Sequence, residues 1–106
     1  MRGDELNEPS QPHAATVIYA DGAVDTVALP DGDNARIQKL VDLIGAEYIQ
    51  AIPISNSRYM LVDENGKLQP HIHNQAATDI AHKAEAIPVS DYIAGTAVIV
   101  TRAAVL

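Results

Sequence analysis

Hydrophobic positions fall into short blocks whose spacing changes along the chain. ATVIYA and AVDTVAL, both rich in β-branched residues, flank Asp21-Gly22 and predict two strands joined by a two-residue hairpin turn. In DGDNARIQKLVDLIG the period lengthens. Ile37, Leu40, Val41 and Ile44 recur at i, i+3, i+4 and i+7, which predicts an amphipathic helix with Arg36, Lys39 and Asp42 on its other face. Asp33 or Asn34 can cap its start by accepting a backbone N–H, and Gly45 suits the left-handed residue after its end.

Strand texture resumes in EYIQAIPI and again in RYMLVDE, which runs into the hairpin signal Asn65-Gly66 and a brief return strand from Lys67 and Leu68. Residues 48–54 and 59–62 are apolar on both faces, which predicts strands inside a sheet, covered by helix on one side. Pro53 has no N–H to donate, so it is expected at a sheet edge or a bulge. A second helix is predicted in NQAATDIAHKAE, where Asn74 is a plausible cap and Ala77, Ile80, Ala81 and Ala84 share one face. Past Ile87-Pro88 an irregular VSDYIAG leads to TAVIVTR, a continuous apolar run suited to a central strand. The expectation is an α+β domain over residues 13–106, with about five mostly antiparallel strands and two helices in the order β-β-α-β-β-α-β. Residues 1–12 are polar, carry Pro9 and Pro12, and read as a flexible tail.

Composition narrows the function classes. With 106 residues the chain can bury a core unaided, and with no cysteine it can form neither a thiol nucleophile nor a cysteine-type zinc site. The first residues lack an apolar signal-peptide core, and no run approaches the roughly 20 apolar residues of a membrane span, so a soluble, cytoplasmic protein is expected. The net charge is -7, and Asp4, Glu5, Glu8, Asp21, Asp25, Asp31 and Asp33 stand against Arg2 alone in the first 33 positions. That balance opposes a phosphate backbone, and a chain without Trp or Phe offers little for bases to stack on, so no nucleic-acid partner is expected.

Several segments together carry a family likeness: LVDLIGAEYIQAIPI, LVDENGKL, Asn74 with Ala77-Thr78, and DYIAGTAVIV. Over residues 24–101 they resemble a small domain-of-unknown-function family found in bacteriophages, plasmids and bacterial genomes. The resemblance implies a short helix before a Tyr-Ile strand, a central Asn-Gly turn and an Ile-x-Gly-Thr approach to the last strand. It implies context and fold, with no active site to carry over. Gly45-Ala46 departs from the glycine pair of that pattern, and the histidines of PHIHN are not part of it.

The candidate chemistry is sparse. In an extended segment His71 and His73 point the same way with α-carbons about 6.6 Å apart, close enough for two imidazoles to converge on a metal. His82 cannot be the third ligand, because eight helical residues carry it roughly 12 Å along the axis. His13 or an aspartate across the sheet would be needed, and Pro70-His71 ahead of a helix cap is ordinary loop sequence. His82 follows Asp79 by three positions and Lys83 follows Asp79 by four, giving helix-surface pairs. Ser55, Ser57 and Ser90 lack the glycine-flanked turn of an activated nucleophile, and no glycine loop or twelve-residue calcium loop occurs. Gly95 ahead of a buried strand marks a special backbone angle, and with Thr96 and the amphipathic Tyr92 it is a candidate contact for a partner or ligand.

No cofactor is expected. The reading favoured is a small non-catalytic accessory protein, of mobile-element or phage type, that binds another protein or itself through free sheet edges. Its alternatives are a metal or small-ligand protein using His71 and His73, and an acidic inhibitor of a host defence enzyme.

Overall fold

A computed structural model describes residues 13–66 and 72–104. The expected tail at 1–12 and the return strand at Lys67-Leu68 lie outside the described residues. The elements are β1 (Ala14–Ile18), β2 (Val24–Ala28), α1 (Asp33–Ile44), β3 (Ile49–Pro53), β4 (Arg58–Asp63), α2 (Gln75–Lys83) and β5 (Ala97–Thr101), with a 3-10 turn at Arg102–Ala104. The expected element order stands, and so does the α+β class. All strand pairs are antiparallel, and the sheet runs β2-β1-β5-β4-β3.

β5 is central, as its unbroken apolar run requires, but the helices do not share one side. Val98 and Val100 join Ala15, Val17 and Leu61 beneath Leu40 and Ile44 of α1. Ala97 and Ile99 join Ile18, Met60 and Val62 beneath Ala77 and Ala81 of α2. Side chains alternate across a strand, so a strand apolar at every position needs a cover on each face. The architecture is therefore helix, sheet, helix, which corrects the expected single covered side. Burying each of Val98, Ile99 and Val100 contributes about 1.5–3 kcal/mol, making β5 the spine of both cores.

β3 proves to be an edge strand, whereas the apolar pattern placed it inside the sheet. The edge position agrees with Pro53. The hairpin between β1 and β2 also differs. The amide of Tyr19 donates to the carbonyl of Ala23, so Ala20, Asp21 and Gly22 form a three-residue loop, with Gly22 at φ 94°.

α1 ends as expected at Gly45 in the left-handed conformation. Its start and its buried face do not follow the pattern. Gly32 stands at the N-cap with no side-chain cap, so neither Asp33 nor Asn34 serves. Ile37 is exposed and Arg36 is buried. The guanidinium of Arg36 donates to the carbonyls of Pro30 (3.2 Å) and Asp31 (2.6 Å) and to the carboxylate of Asp33 (2.7 Å). Its stem thus extends the buried line of Leu40 and Ile44 while its head satisfies the loop entering the helix.

No helix among the described residues is long and apolar enough to cross a membrane.

Candidate interaction site

The polar residues highlighted by the sequence converge at the start of α2. Asn74 is fully buried and uses its whole side chain. Its Oδ1 accepts from the amide of Ala77 at 3.0 Å, the expected helix cap. Its Nδ2 donates to the carbonyls of Ile18 (2.9 Å) and Gly95 (2.8 Å). Thr78, one turn on, donates from its hydroxyl to the carbonyl of Asn74 at 2.7 Å and accepts from the amide of Ile93 at 2.9 Å. Together the two side chains join β1, α2 and the segment that leads into β5.

Gly95 belongs to this frame. It sits at φ 82°, a region costly for residues with a Cβ, and its amide donates to the carbonyl of Ile72 while its carbonyl accepts from Asn74. The buried backbone of Gly95 is committed to folding, and Thr96 beside it is half-buried. Tyr92 is part-exposed, and its ring lies 5.0 Å from that of His73 with the planes tilted by 31°. A pair at this separation is an ordinary offset aromatic contact.

His71 lies outside the described residues. His73 is paired by a bridge to Ala94, and its Nε2 lies 3.5 Å from the hydroxyl of Thr78. Among the described residues no three of His, Asp and Glu are grouped so that they could hold a metal. His82 is half-buried, and its Nε2 lies 2.9 Å from the carbonyl of Asp91, so it fastens α2 to the 87–94 segment. Asp79, the expected neighbour of His82 in charge pairing, instead accepts from Gln75 at 2.7 Å.

A cavity of about 60 Å³ opens between β3, β4 and this segment, lined among others by Gln50, Ile52, Val62, Ile87 and Tyr92. Cofactor and drug-sized ligands occupy roughly 300–1,000 Å³, so it has room only for a small group. Gly66 borders it for a steric reason. A Cβ there would lie 3.1 Å from the carbonyl oxygen of Ala94.

The other candidate is the outer edge of β2, which ends the sheet beside β1. Tyr19 donates to Ala23 and Leu29 donates to His13, each at 2.9 Å. Antiparallel partners alternate between bonded and non-bonded pairs, so Asp25 and Val27 turn their backbone groups toward β1. Val24, Thr26 and Ala28 turn theirs outward. The side chains of β2 are exposed except for Val27, which is half-buried against the α1 core.

The far edge differs. Glu64 donates to Tyr48 and Ile54 to Arg58, so Ile49, Ala51 and Pro53 face outward from β3. Pro53 carries no N–H at its outward position, which blunts that edge. Comparison with protein-family models, with curated proteins and with solved structures finds no match for the chain.

Proposed function

We propose that the protein is a small cytoplasmic accessory protein, of phage or mobile-element type, that acts by binding another protein and performs no catalysis. The observation that carries this reading is the β2 edge, where Val24, Thr26 and Ala28 turn their backbone groups away from β1 and meet no partner strand among the described residues. Polar side chains that could serve chemistry are instead spent on the frame. Asn74 and Thr78 bind backbone groups of three segments, and His82 holds a carbonyl. The mobile-element context rests on the family resemblance of residues 24–101 alone.

Light scattering on the purified full chain, together with affinity capture from a bacterial lysate, tests the reading. Capture of a defined protein by the parent chain, lost when Thr26→Pro closes the β2 edge, is the expected result. A strict monomer that retains nothing, or retains the same proteins after closure of β2, overturns it.

A further inference from the structure

We infer that the open β2 edge takes an extended segment of a partner protein with Lys or Arg at its ends, in preference to a second copy of this chain. The inference rests on the proposed edge binding and adds the chemistry of the partner.

The edge is framed by carboxylates. Asp21 lies three positions before Val24, and Asp31 lies three positions after Ala28. Asp25 lies within the strand. All three residues are exposed, and the chain has no Lys or Arg between residues 13 and 35. The carboxylates of Asp21 and Asp25 accept from nearby amides, those of Ala23 and Thr26, and have no cationic side chain on them among the described residues. Asp33 is the exception, since Arg36 lies 2.7 Å from it. The open edge therefore carries carboxylates before, within and after its backbone ladder, complementary to a strand that bears cationic side chains.

A second copy meets the opposite condition. Antiparallel pairing of two β2 strands about Thr26 sets Val24 against Ala28 and brings the loop carrying Asp21 of each copy to the same end of the pair as Asp31 of the other. Sliding one strand by two residues sets Asp25 against Asp25 in one direction and Val27 against Val27 in the other. Like charges directly opposite destabilise a strand pair, so the Asp25 register is disfavoured, and the register about Thr26 gathers the Asp21 and Asp31 carboxylates at each end.

The side chains set a further limit on the occupant. On the α2 side of the sheet, Val24, Thr26 and Ala28 lie beside Ile18, Thr16 and Ala14. Only Ile18 of these six is buried against the α2 core; Thr16 is half-buried and the rest are exposed. This ledge of small residues suits β-branched side chains from an added strand. The Asp25 carboxylate occupies the outward amide of Thr26 at 2.8 Å, and an incoming carbonyl must replace it. Val24 and Ala28 can donate without that exchange.

The test uses the full chain and synthetic peptides of alternating valine and threonine, flanked at both ends by two lysines, two serines or two glutamates. Binding is followed by backbone amide shifts and by anisotropy at two salt concentrations. The expected result is shifts at Val24 and Ala28, with the lysine-flanked peptide favoured over the glutamate-flanked one by on the order of tenfold and that preference shrinking in salt. The charge reversal D21K/D25K/D31K lies on exposed residues and should invert the order of the peptides. Equal binding of all three peptides at β2 overturns the charge preference but keeps the edge reading. Absence of binding by any peptide, or shifts confined to β3, overturns both. A stable dimer of the parent chain that Thr26→Pro dissociates overturns the preference for a partner over a second copy. If Thr26→Pro fails to fold, the charge-reversed variant and the shift map still decide the matter.

Discussion

The carboxamide of Asn74 donates to the carbonyl of Ile18 at 2.9 Å, across 56 positions of chain, and so ties the start of α2 to the end of β1. The same group donates to Gly95, and its oxygen caps α2. A side chain with one acceptor and one two-proton donor is the only neutral type that serves all three partners at once.

Replacing Asn74 by Ala leaves the carbonyls of Ile18 and Gly95 and the amide of Ala77 without this partner in a buried setting. The expected loss is on the order of 3 kcal/mol, read from the urea midpoint. Asn74→Asp separates capping from cross-linking. Asp is as good a cap, but it would aim a carboxylate oxygen at two carbonyls, so it should destabilise at least as much as Ala. Recovery of near-parent stability by Asp would show that the cap dominates.

Thr78 permits a finer comparison. Its hydroxyl both donates to Asn74 and accepts from Ile93, so Thr78→Val, nearly the same shape, strands the buried amide of Ile93, while the Asn74 carbonyl keeps its bond from the backbone amide of residue 78. A loss of about 1–3 kcal/mol is expected. Thr78→Ser keeps the hydroxyl and should lose distinctly less. A smaller loss for Val than for Ser would place the role of Thr78 in its methyl group.

These bonds mark where sequence reading stopped. Asn74 was legible as a cap because a cap is local. Its bonds to Ile18 and Gly95 were not, because nothing in the local sequence says which strand ends lie above the helix. The same limit applies to β5: TAVIVTR announces a strand buried on both faces, but not that α1 covers one and α2 the other. Pro53 pointed correctly to an edge, although the apolar pattern of its own strand pointed inward. At α1, periodicity favoured Ile37 over Arg36, because counting an Arg as polar ignores its long apolar stem. Of the candidate site, Gly95 was legible as a special backbone angle, because a glycine ahead of a buried strand is a local signal. The openness of β2 depends on strand order, which no short motif encodes.

Arg36 supports a prediction about its burial. Asp33, its charged partner, is 86% exposed against 6% for Arg36, so the ion pair itself contributes little. Asp33→Asn should therefore change stability by less than about 1 kcal/mol. Arg36→Met keeps the stem but abandons the carbonyls of Pro30 and Asp31, and a loss of about 1–2 kcal/mol is expected. Arg36→Ala loses the stem as well and should be worse than Met. Thermal or urea unfolding of the three variants checks the order. Equal effects of Asp33→Asn and Arg36→Met would assign the stabilisation to the ion pair.

Pro53 bears on why one edge of the sheet is open and the other is not. Ile49 and Ala51 both turn an N–H outward from β3, so a neighbouring strand could begin to pair there. Pairing stops at Pro53, which has no N–H and whose ring obstructs a close strand. Pro53→Thr restores the third donor with a β-branched residue that suits a strand, while the ladder to β4 stays intact because position 53 does not bond to β4. Folding stability should move by no more than about 0.5 kcal/mol, whereas self-association should rise with concentration in light scattering. A variant as monodisperse as the parent would mean that β3 is protected by other means, and that the contrast drawn between the two edges does not rest on Pro53.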